Sequence, residues 1–387
     1  MLTEKELEAA LKQVTGRIDE VNKQFIRKIA AQLLKIGDIP ELNATSINQI
    51  ITMVDFNADI QEITRELSHA TALNVRDVFQ IYQAALNDSY TDPRFREALQ
   101  NKPLTPSQNA RLTWMARNIA TQTAKSMINL SNTTAIQQTY REALDKAITA
   151  TAMGLTSYNE AARSIIRDLG YNGLKVQYES GYQRRLDSAV RQNIIDGVNQ
   201  INQNASLAMG EMLGYDAVEI SAHANSAPDH EPVQGRVFLL KEFEKMQNGE
   251  DFRDVDGNFY PGFRRPIGEW NCMHIAMSFS TQHSIRRYDD ATLKKWKQEN
   301  AQGCEIGGKH YTLYQARQLM RQLETKVRRE KDAANAARLN GNDMETRRAC
   351  QKTINALTAK YYATAKAAGL SPRSARLSVE GFKMVKV

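Results

Sequence analysis

An apolar stripe in steps of four and three opens the chain: Leu7, Leu11, Val14, Ile18, Val21 and Phe25, continued by Ile29 and Leu33. That spacing returns to one face of an α-helix, so it predicts a long helix with a narrow buried seam, suited to core or partner-helix packing rather than ligand chemistry. Thr3-Glu4-Lys5-Glu6, a hydroxyl N-cap with a carboxylate three residues on, starts this helix, and the stretch from Gly37 to Asn43 ends it. Helical patterning resumes from Ile60 to Leu86, and polar loops carry Pro93 and Pro103. Thr105-Pro106-Ser107-Gln108 and Ser157-Tyr158-Asn159-Glu160 open two further helices, the second running to Gly170, and the composition from Thr133 to Met153 is helical as well. With no strand pattern among them, the first ~170 residues read as all-α. They hold no catalytic constellation; His69, alone on a helix, reads as a surface or packing residue.

From Gly173 the pattern changes. Leu174 to Tyr178 alternates like a strand, and Tyr182 to Leu213 reads as one long helix closed by Gly214. Ala217-Val218-Glu219-Ile220 alternates again, Asp256-Gly257 marks a hairpin tip between Asp254 and Tyr260, and His274 to Phe279 reads as a buried strand. A short helix around Ala291 to Glu299 precedes a small hairpin turning on Gly307-Gly308. Thr312-Leu313-Tyr314-Gln315 then caps a helix, Asn340-Gly341-Asn342 breaks it, and a second helix runs from Glu345 to Ala368, which predicts an antiparallel helical hairpin. The expected fold is α+β and predominantly α. It comprises a helical N-terminal docking region over 1–172, a small mixed domain over 173–303, and a hairpin plus basic helical hairpin and tail over 304–387.

Charge separates these regions. From Lys309 to Val387 there are seventeen Lys and Arg against six Asp and Glu, a net +11, which leaves −4 for the preceding residues within a total of +7. Nucleic acid or an acidic protein surface fits such a tail, and a solvated helical face is the plain alternative. Most of this basic excess is expected on the outer faces of the helical hairpin. No apolar run approaches the roughly 18 residues that a membrane span needs. The start, Met-Leu-Thr-Glu-Lys-Glu, lacks a secretory pattern, and three cysteines, Cys272, Cys304 and Cys350, point to a reducing compartment rather than a disulfide framework.

Chemistry concentrates in Ser221 to Phe238 and in Asn271-Cys272-Met273-His274. His223, His230, Cys272 and His274 could supply four ligands to zinc. The one-residue gap between Cys272 and His274 is shorter than usual for a zinc pair, and the residues favour a plainer reading: histidines hydrogen-bonded to loop backbone and a buried apolar Cys272. No phosphate-binding glycine loop and no His-Glu-x-x-His occurs, so no catalytic residue is assigned and no cofactor is expected. The enzyme alternative is a metal-dependent nuclease or toxin-like domain on the same four residues, with Asp229 and Glu231 beside His230.

Several ordered segments carry a resemblance. They are Ser180 to Arg191, Ile194 to Gln200, Val218 to His223, Asp229-His230, Gln234 to Phe238, Ile267-Gly268 with Asn271 to His274, Gly308 to Thr312, and Ala368 to Arg373 with Gly381-Phe382. Together they resemble the tailed-phage minor capsid protein 2 family, related to the phage Mu F-like head-morphogenesis proteins, over about two thirds of the chain. The resemblance implies a low-copy virion protein inside the phage head, made in the host cytoplasm, with the portal protein, the major capsid protein and packaged double-stranded DNA as partners and no membrane. It makes His223, Asp229, His230, Gln234, Gly235, Cys272 and His274 signature positions without assigning them chemistry. The basic hairpin residues Arg317, Arg321, Arg328, Arg329, Arg347, Arg348 and Lys352 are then candidates for DNA or partner binding. Bulky Trp270, directly before Asn271, is expected to pack over the signature loop.

Overall fold

The computed structural model describes residues 4–35, 56–90, 103–129, 139, 142, 143, 146, 149, 150, 158–177, 182–270 and 272–387. The opening stripe lies on α1 (Glu4–Lys35), with Leu11, Val14, Ile18, Val21, Phe25, Ile29 and Leu33 all buried. It packs against α2 (Phe56–Tyr90) and α4 (Tyr158–Asn172), and α3 (Pro106–Asn129) packs against α2. At the start of α3, the Thr105 hydroxyl accepts from Gln108 N, while Gln108 Oε1 accepts from Thr105 N, the reciprocal cap expected there. The caps expected at Thr3 and Ser157, the helix end from Gly37 to Asn43, and most of the stretch from Thr133 to Met153 lie outside the described residues. His69 is exposed.

The next helix is shorter than its pattern suggests. Strand β1 (Lys175–Gln177) pairs antiparallel with β2 (Gln183–Arg185), and only then does α5 (Leu186–Leu213) begin. Residues 183–185 had read as helix; their pairing with β1 holds them extended instead. One side of α5 buries Val190, Ile194, Val198 and Ile201 in the helical core. Its other side grips a three-stranded antiparallel sheet of order β4-β3-β7, formed by β3 (Ala217–Ile220), β4 (Val237–Leu239) and β7 (Ala276–Phe279). Asn199 donates to Cys272 O, Gln203 accepts from Ala276 N, and Ser206 accepts from Ser278 N at 2.9 Å. These three helical residues share one face and satisfy backbone groups of β7 and the segment leading into it.

Helix α6 (Leu240–Asn248), which no sequence signal marked, follows β4 and buries Phe243 and Met246. Strands β5 (Phe252–Arg253) and β6 (Phe259–Tyr260) form the expected Asp-Gly hairpin. Helix α7 (Asp290–Gln302) is capped by the Asp289 side chain, and the Gly-Gly hairpin joins β8 (Cys304–Ile306) to β9 (Lys309–Tyr311).

The last unit is the expected helical hairpin, α8 (Leu313–Leu339) and α9 (Met344–Ala367), with a complete capping box between Thr312 and Gln315. Helix α4 approaches α8 closely because Gly170 faces Ala333 and Ala336. A Cβ at Gly170 would stand 2.7 Å from that of Ala336. The tail then folds back along α8. Lys331, Asn335 and Arg338 donate to the carbonyls of Leu377, Glu380 and Gly381. Arg376 reaches Glu8 on α1 at 2.7 Å. Among the described residues, no helix is long and apolar enough to cross a membrane.

Candidate functional site

The signature loop between β3 and β4 closes over the segment that enters β7. Ser221 fixes the junction: its N–H donates to Ile275 O, and its hydroxyl accepts from Ile275 N, each at 2.9 Å. Gly235 turns the loop back with φ 67°, and a Cβ there would stand 2.8 Å from Leu293, so both backbone angle and space call for glycine. These contacts bring His230, Cys272 and His274 together in the interior, with ligand atoms all within 4.8 Å of one another.

Hydrogen bonding fixes the tautomers. Gln234 Oε1 accepts from His223 N at 3.1 Å, which identifies that atom as the oxygen; it therefore also accepts from His274 Nε2 at 3.3 Å. Ser226 Oγ, which donates to Ala227 O, also lies 3.3 Å from His274 Nε2 and accepts from it. His230 Nε2 donates to Arg265 O at 2.8 Å. Both rings thus carry their proton on Nε2 and present a bare Nδ1 to Cys272 Sγ, at 3.1 Å from His230 and 3.5 Å from His274. Burial, and then Arg265, push the His230 pKa down; burial, with His223 and His230, holds His274 well below the usual histidine range. Burial raises the Cys272 thiol, against the pull of backbone N–H groups including that of His274.

His223 occupies the second layer. Its ring stacks on His274 with centroids 4.4 Å apart, and its Nε2 is sealed from solvent with no hydrogen-bond partner among the described residues. Burial, followed by Arg317 and Arg321, pushes its pKa down to about 4. Asp229 stays at the surface and receives Arg265 at 2.6 Å. Of the four sequence-picked ligands, three converge and His223 flanks them.

His223 also lines a cleft of about 1020 Å³ between α1, the start of α5, the signature loop, α8 and the tail. Ten Lys and Arg line it against Glu8 and Glu324, so its excess charge is positive. The deep cations are internally matched: Arg185 binds Asp187 and Asp332, and Arg191 binds Glu8. Nearer the mouth, the Arg321 guanidinium makes no hydrogen bond or ion pair with the described residues, while its carbonyl accepts from the Thr325 hydroxyl. Burial, then the neighbouring Arg376, Arg317 and Arg373, lower its pKa to about 10.

The sequence profile of phage minor capsid protein 2 matches residues 2–361. This chain belongs to that family. No curated protein and no solved structure is similar enough to match. Membership places the chain among components of the phage head and its virion.

In this minor capsid protein the signature residues divide by role. Gly235 and Gln234 shape the loop, His230, Cys272 and His274 form its buried centre, and Asn271 lies outside the described residues. Arg185 and Asp187, from another segment that carried the family resemblance, form a buried ion pair. The basic hairpin departs from the expectation of outward-facing cations. Arg317, Arg321, Arg328 and Arg329 are half-buried and line the cleft, because α8 packs its neighbouring faces against α4 and α9. Arg347 is buried and bonds Asn342 Oδ1 and Lys383 O; Arg348 and Lys352 are exposed on α9. Trp270 does not pack over the loop: it is 63% exposed at the cleft rim, with φ 49°. Sequence reasoning missed Gln234 as the bridge between His223 and His274, and Arg373 and Arg376 as cleft residues. The first signal was present in the Gln-Gly pair; the second lay only in the distant tail.

Proposed function

We propose that this chain is a structural and interaction protein of the phage head that lies inside it near the portal, docks through its N-terminal helices, and takes the phosphate backbone of packaged DNA in the arginine cleft. Family membership supports the head role. The crowding of Arg317, Arg321, Arg373 and Arg376 supports the DNA role, because a polyanion relieves the repulsion that these guanidinium groups exert on one another. The near-complete burial of His230, Cys272 and His274 favours a structural over a hydrolytic use of that cluster, since a nuclease metal must reach its substrate.

Double-stranded DNA binding by the full chain tests this reading. Neutralising about three phosphates makes affinity fall about 40-fold for a fourfold rise in salt. The double variant Arg317→Ala/Arg321→Ala should weaken binding at low salt and flatten the salt dependence by about two phosphates. Salt-independent binding, or binding unchanged in the double variant, would show that the cleft faces protein instead. A map of the intact head, showing this chain at the portal vertex or elsewhere, tests the location.

A further inference from the structure

The buried His/Cys centre does not close its own hydrogen-bond account. Two Nδ1 lone pairs and one sulfur converge, and only one proton, that of the Cys272 thiol, is available to join them. A thiol can donate to one imidazole at a time, so one buried Nδ1 is left without a donor in the metal-free chain. Burial of such an acceptor is costly, and native interiors rarely leave one unmet.

We propose that His230 Nδ1, Cys272 Sγ and His274 Nδ1 bind one zinc ion. A tetrahedral zinc with sulfur at about 2.3 Å and nitrogen at about 2.0 Å sets its sulfur and nitrogen ligands about 3.5 Å apart. The observed separations from Cys272 Sγ are 3.1 Å and 3.5 Å. The groups around the ligands are those that zinc sites use. Each histidine donates its other ring N–H to an oxygen, Arg265 O for His230 and Gln234 Oε1 for His274, which holds the ring in the metal-binding tautomer. The backbone N–H of His274 points at Cys272 Sγ at 3.3 Å, a contact that stabilises a thiolate. Two imidazoles and one thiolate select zinc over magnesium or calcium, which prefer oxygen ligands. Binding exchanges the thiol proton for the metal: the Cys272 S–H bond breaks, its proton leaves to solvent, and the sulfur lone pair goes to zinc. Three protein donors leave one tetrahedral position for water.

The ion would tie the signature loop to the segment entering β7, joining residues 42 positions apart in a unit whose central sheet has only three strands. This inference is independent of whether DNA enters the cleft.

The full-length protein, purified without chelator, should retain about one zinc per chain by elemental analysis. Its cobalt(II) form should show the visible bands of a tetrahedral site and a near-ultraviolet sulfur-to-cobalt band. Cys272→Ser should lose the sulfur band and His230→Gln should weaken metal binding at least tenfold, whereas Cys304→Ser should keep both. Added zinc should raise the thermal midpoint of the wild-type chain and leave that of Cys272→Ser unchanged. Cobalt titration of the wild type does not depend on whether the variants fold. Wild-type protein that is folded by circular dichroism yet holds no zinc and shows no cobalt bands would overturn the proposal, as would a sulfur band unchanged in Cys272→Ser.

Discussion

Two buried polar clusters, about equally hidden, solve the same problem in opposite ways. Where α1, α5 and α8 meet, Arg185 joins Asp187 at 3.0 Å and Asp332 at 2.6 Å and also donates to Tyr171 O; Arg328 stands 3.7 Å from Asp187. There the Arg185 guanidinium meets two carboxylates and a carbonyl and the cluster is ionic, although the buried Nε of Arg328 has no hydrogen-bond partner among the described residues. In the signature loop, His230, Cys272 and His274 are held neutral and lone pairs outnumber protons. A self-satisfied cluster reads as architecture. One short of a proton points to something that the chain binds.

The largest test of that contrast removes the central cation. Arg185→Ala strands two buried carboxylates, and denaturant unfolding should show a loss of about 3–5 kcal/mol. Cys272→Ala in metal-free protein should lose only about 1–2 kcal/mol, the scale of a small buried group. Equal losses would mean that the His/Cys centre is as complete as the ionic one.

The ionic cluster also has a pH signature. Burial, then Asp332 and Asp187, push Asp19 up to about 8. Burial and Asp187 raise Asp332 as well, whereas Arg185 and Arg328 overcome burial to hold Asp187 down at about 2. Between the ordinary aspartate range and pH 8 the folded chain therefore keeps a proton on Asp19 that the unfolded chain has released. Stability should fall as pH rises through this window, with Asp332 acting in the same direction. Asp19→Asn should flatten the fall, and a slope unchanged in that variant would remove Asp19 as its source.

The smallest effect concerns Trp270. Its left-handed backbone strains any L-residue, while its exposed ring contributes little burial. Trp270→Gly should change stability by less than about 1 kcal/mol, in the favourable direction. A loss of about 3 kcal/mol, the size for a buried aromatic, would mean that the ring packs against the loop after all.

Much of the scaffold was legible from local signals. The apolar stripe from Leu7 to Leu33, the Thr312 cap, the Asp-Gly and Gly-Gly turns and the buried strand before Phe279 each carry their own periodicity or turn chemistry, and each appears where expected. Residues 183–185 and helix α6 were not legible, because a three-residue strand has too few positions to alternate and α6 has no strong cap. The His/Cys centre was half legible. Residue types and proximity in sequence gathered His223, His230, Cys272 and His274, but that three of them converge while His223 flanks them is a tertiary fact. The cleft was least legible, since Arg317 and Arg321 join Arg373 and Arg376 only after the tail folds back.

Helix α5 has a mechanical consequence. At about 1.5 Å per residue its 28 residues form a rod about 42 Å long. One side is embedded among the N-terminal helices through Val190, Ile194 and Val198, and the other is bolted by Asn199, Gln203 and Ser206 to the segment from Cys272 to Ser278. A helix resists axial compression better than a loop does, so a load applied to the N-terminal helices is delivered to the backbone of Cys272 with little slack. Helix α5 thus makes the helical region and the signature loop one load path.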